Sequence, residues 1–104
     1  MNKESRTECM HAAYLVTSGV EHFYKILTVA KMPTAPNYTK ILLSTEMDTI
    51  KLAHEKMMNA KSNYSPLPET CEATMMFVKV AEEKYNEAKS DYDDFIKHSN
   101  NRGR

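Results

Sequence analysis

Tryptophan is absent from this chain, glycine and cysteine occur twice each, and neither sign of charge is in surplus. Each scarcity removes options. With only Gly19 and Gly103 in 104 residues, and with Ala, Leu, Met, Glu and Lys abundant, the composition favours helix, because these side chains lose little rotamer freedom there. Strand signals are nearly missing. Fourteen Lys and Arg balance fourteen Asp and Glu, so no net charge draws the molecule to nucleic acid or to an anionic membrane surface. Long apolar runs are lacking too. The most apolar window, His11 to Ala30, is interrupted by Glu21, His22 and Lys25, whose cost in a bilayer core argues against a spanning helix. Residues 1 to 6 carry no apolar stretch with a cleavage site, so a cytoplasmic location is expected. No catalytic or cofactor motif is present, so no enzyme activity, cofactor or small-molecule substrate is expected.

What the chain does have is punctuation. Pro33 and Pro36, then Pro66 and Pro68, break it into three segments, each with helical periodicity. In the first, Cys9, Ala13, Val16, Val20, Phe23, Leu27 and Ala30 recur at spacings of four and three, and Leu15, Ile26 and Val29 widen the stripe. The second reads Leu43, Met47, Ile50, His54 and Met57, flanked by Leu42, Ala53 and Ala60. The third has the most regular repeat: Cys71, Thr74, Val78, Ala81, Tyr85, Ala88, Tyr92 and Phe95. The fold class read from this is all-α, an up-down-up antiparallel three-helix bundle with helices over about 4–31, 36–62 and 68–98. One domain spans about 1–98, and 99–104 is expected to be a disordered polar tail.

Reflection through the first connection puts Cys9 opposite Ala60, and through the second puts Ala60 opposite Thr70. Cys9 and Cys71 should then lie at one level. They would form a disulfide between the first and third helices, or remain two buried thiols acting as small hydrophobes. A metal at that end would draw on Glu8, Cys9, His11, Cys71 and Glu72, but a second Glu-x-x-His is missing and only three N or S ligands converge. Surface histidine is the simpler reading of His11, and a half-buried, hydrogen-bonded ring that of His54. A three-helix unit of this length is similar in architecture to the phosphocarrier subunits of sugar phosphotransferase systems. Those accept phosphate on a histidine of the third helix, and residues 69 to 97 contain none.

Two surface features remain. Eight methionines cannot all face one narrow seam, and Met58, Met75 and Met76 form a candidate partner contact, since flexible thioethers suit a surface that accommodates another protein. Glu82, Glu83, Glu87, Asp91, Asp93 and Asp94 place acid in the half of the third helix where it opposes the dipole. Asp91, Asp93 and Asp94 are accordingly read as a stripe that steers a basic partner, or simply as a solvated face. The function expected is that of a non-enzymatic protein-binding module of the inhibitor, immunity, adaptor or chaperone type. The alternative is a structural homo-oligomer, most simply a homodimer.

Overall fold

The computed structural model describes residues 2–63 and 72–102. Within them the chain forms three helices and no strand: α1 (Asn2–Ala30), α2 (Tyr38–Asn63) and α3 (Glu72–Arg102). The expected three-helix bundle is what the sequence builds, as a rod with extents of 54 × 17 × 17 Å. A body that thin leaves no side chain far from water, so the core is a single file of seam residues. Residues 64–71, with Pro66, Pro68 and Cys71, lie outside the described residues.

The proline breaks act as local chemistry dictates. The Lys31 N–H donates to the Leu27 carbonyl and the Met32 N–H to the Val29 carbonyl, both at 3.0 Å, after which Pro33 cannot continue the ladder. α2 starts at Tyr38, two residues later than expected, because Pro36 and Asn37 are spent in the turn. Their carbonyls accept from Thr39 at 3.0 Å and Lys40 at 3.3 Å. α3 departs more. It continues to Arg102, so residues 99–102 are helix where a disordered tail was expected. The physical reason is that neither glycine nor proline occurs between Pro68 and Gly103, and a helix stops most readily at a glycine just past its end.

The three seams meet in one core. Cys9, Ala13, Val16, Val20, Phe23 and Leu27 of α1, Leu43, Met47, Ile50 and Met57 of α2, and Val78, Ala81, Tyr85 and Ala88 of α3 are all buried. Phe23 stands at the junction of α1 and α3, edge-on to Tyr24 at 5.3 Å and to Tyr92 at 6.2 Å. The flanks are less evenly covered. Leu15 and Val29, expected to widen the α1 stripe, are 40% and 44% exposed, and Leu42 of α2 is 48% exposed. Ile26 alone of the widening set packs partly against the core.

The reason is the position of α3. α1 packs along both other helices, whereas α2 and α3 touch far less. One flank of α1 is therefore covered by α3 and the other flank, with Leu15 and Val29, is not. What brings α1 against α2 is Gly19. A Cβ built there would stand 2.9 Å from Ile50 Cγ1, closer than real Cβ atoms come, so only a residue without a side chain admits Ile50 at this level. Helix propensity alone would reward Gly19→Ala by about 1 kcal/mol. Overpacking against the γ1 methylene of Ile50 reverses that sign, and the variant is expected to lose about 1–3 kcal/mol in urea denaturation. A more stable variant would show that α1 and α2 do not approach this closely.

Candidate functional site

The helices set two registers, and only one is the register expected. Between α1 and α2, the Cys9 thiol donates to the Met57 carbonyl at 3.8 Å, Gly19 faces Ile50, and His22 Nδ1 meets Glu46 Oε1 at 2.7 Å. These pairs fall within a turn of the reflection that put Cys9 opposite Ala60. Between α1 and α3, Tyr24 donates to Asp91 at 2.5 Å, 67 residues away, and Phe23 meets Tyr92. That offset, 67 to 69 residues, differs from the 61 that the reflection gave between Cys9 and Thr70. Cys9 is a buried free thiol, and Cys71 lies outside the described residues. Burial raises the Cys9 pKa, with Lys61 pulling the other way and Glu82 adding to it, so the sulfur stays protonated and unreactive.

Cys9 points into the core while its neighbours Glu8 and His11 are exposed, which separates the ligands a metal would need. Among the described residues no group of three His, Cys, Asp or Glu is placed to hold a metal ion. No helix among them is long and apolar enough to cross a membrane.

The acids of α3 have local employment. Tyr24 donates to Asp91, with Glu87 at 3.4 Å, and burial followed by these carboxylates pushes the phenol pKa well above its usual value. Lys61 pairs with Glu82 at 3.1 Å, joining α2 to α3, and Lys89 pairs with Asp93 at 3.6 Å along the helix. Four of the six acids noted in the sequence are engaged within the molecule, three of them across helices. Asp94 and Glu83 are exposed. The methionines are dispersed likewise. Met58 is half-buried against the core, Met75 is half-buried, and Met76 is 64% exposed on another side of α3.

A different surface carries several exposed apolar side chains. On the flank away from α3, α1 and α2 enclose two shallow grooves of about 420 and 510 Å³. Leu15, Gly19, His22, Glu46, Thr49 and Leu52 line the first, and His11, Leu15, Lys56 and Asn59 the second. Leu52 is 60% exposed, and further up α2 stand Leu42, Ile41 at 67% and Tyr38 at 62%. The polar groups here are the bonded pair of His22 and Glu46, then Glu8, His11 and Lys56, with Ser18, Thr49 and Asn59 among them, set along the trough rather than converging on a point. That arrangement suits recognition of another surface better than bond-making. The sequence carried the signal in Tyr38, Leu42, Thr45, Thr49 and Leu52, a second run spaced four and three. It is obscured there by the stronger core repeat on the same helix.

Comparison with protein-family models, with curated proteins and with solved structures finds no match to this chain.

His54 gives the site's neighbourhood a pH dependence. Its ring stacks on Tyr85 with centroids 4.1 Å apart and planes 11° apart, joining α2 to α3. Burial lowers its pKa below the usual 6.5, against the opposing pull of Glu82 and Glu55. The unfolded chain binds a proton near pH 6.5 while folded His54 stays neutral, so this contribution is complete above that pH and is lost as pH falls towards the lower folded value. Urea midpoints measured from about pH 7.5 to 5.5 should fall less steeply for His54→Phe than for the parent. Equal slopes would mean the ring is solvated in the folded state.

Proposed function

We propose that this chain is a non-enzymatic protein-binding module that works through the outer flank of its α1–α2 hairpin. The observation that carries the reading is the row of exposed apolar side chains, Leu15, Tyr38, Ile41, Leu42 and Leu52, on the flank that α3 does not cover. Large apolar residues scattered singly over a surface need no explanation, but a file of them on one face marks a contact. The helices hold this face rigid, so binding costs little backbone ordering. The Met76 and Asp94 side of α3 is the second surface available, and it carries fewer apolar side chains.

A photoreactive aromatic residue at position 52, introduced in the native cell, tests the assignment. Irradiation should give protein adducts at position 52 and far fewer from the same residue at position 79, an exposed lysine on α3. Equal yields, or none at position 52, would remove this flank as the working surface.

A further inference from the structure

We propose that a second copy of this chain covers the outer face of α2, its own α2 lying antiparallel across the first. The proposal rests on the reading of this face as a contact surface and names the occupant. Tyr38, Leu42, Thr45, Thr49 and Leu52 alternate spacings of four and three, the repeat that seats one helix along another in a shallow left-handed crossing. They lie about 120° around α2 from the buried line through Leu43, Ile50 and Met57, and all five are exposed. A straight stripe of this kind fits a helix.

Three observations select a second copy. The first is area. Tyr38, Ile41, Leu42 and Leu52 present roughly 450 Å² of mostly apolar surface per copy. A standard interface takes about 800 Å² from each partner and is a little over half apolar, so these four side chains supply more than half of that area, with Thr45, Thr49 and Lys56 adding to the polar remainder. The second is charge. The five stripe positions carry none, and the whole chain has a formal net charge of zero and a pI near 6.9, so two copies meet without repulsion. A charged foreign partner would find only Lys56, at the end of the repeat, to steer it. The third is symmetry, because one helix bearing one such stripe supplies both halves of an isologous contact.

Direction follows from Lys56, the next position of the repeat. Parallel helices would set Lys56 against the Lys56 of the second copy. Antiparallel helices set its ammonium over the Tyr38 ring of the second copy and Leu42 opposite Leu52, both favourable.

Light scattering on a sizing column over a wide concentration range is the test. The parent should run as a dimer when concentrated and dissociate on dilution. Leu42→Glu with Leu52→Glu should weaken self-association roughly tenfold or more while the helical circular dichroism is unchanged. Met76→Glu on α3 should leave the dimer intact. If the double glutamate variant loses its helical signal, Leu42→Ser with Leu52→Ser provides the same comparison with a smaller perturbation. A parent that is monomeric at every concentration overturns the second copy as occupant, while adducts at position 52 would still support the contact face. A dimer that survives the substitutions on α2 overturns the face itself.

Discussion

The close contact of α1 with α2 at Gly19 and Ile50 is the constraint on which the rest of this structure depends. Without a side chain at position 19, Ile50 enters the surface of α1, and the two helices are locked in a register that also aligns Cys9 with Met57 and His22 with Glu46. α3 lies along one flank of that pair, mainly against α1. The opposite flank of the pair is left open, with Leu15 and Leu52 on either side of the same groove. The candidate contact surface is thus a consequence of how the core is built, since the same side chains would be interior had α3 settled on the other flank.

Polar contacts fix α3 where apolar packing alone would leave it free to slide. A seam of Val78, Ala81, Tyr85 and Ala88 contains two alanines, whose small side chains set register weakly. Tyr24 to Asp91, Lys61 to Glu82 and the stacked pair of His54 and Tyr85 supply directional contacts at three levels. The lysine pair is partly exposed and contributes little energy on its own, so its effect is on position more than on stability. The phenol bonded to a carboxylate is the stronger tie. Acids in the later part of α3 are thereby accounted for, because cross-helix contacts outweigh an unfavourable interaction with a distant helix end.

Much of this was legible in the sequence, and the failures have physical causes. Helix number and the first connection could be read because Pro33 and Pro36 leave only a few residues for the turn, which forces the antiparallel pairing and its register. Phe23, Leu27, Ile50, Val78 and Tyr85 are buried as their central seam positions required. The second register could not be read. Pro66 and Pro68 mark a break without fixing how many residues the connection takes, and each residue of difference shifts every level of the following helix. The flank residues were ambiguous for another reason. A period of 3.6 identifies the direction of the core but not which shoulder of the stripe the third helix covers, so Leu15, Val29 and Leu42 look alike in sequence to Ile26 and Ala53. Gly19 signalled nothing by pattern, since its role appears only when Ile50 is placed opposite.

Native-state hydrogen exchange tests the central claim, that the α1–α2 pair is the framework and α3 is docked upon it. Amides in the middle of α1 and α2, around Gly19 and Ile50, should exchange only through global unfolding, and those in the last turns of α3 through a smaller opening of lower free energy. Protection in which α1 and α3 remain closed while the middle of α2 exchanges first would contradict the account, because it would place the stabilising contact between the wrong pair of helices.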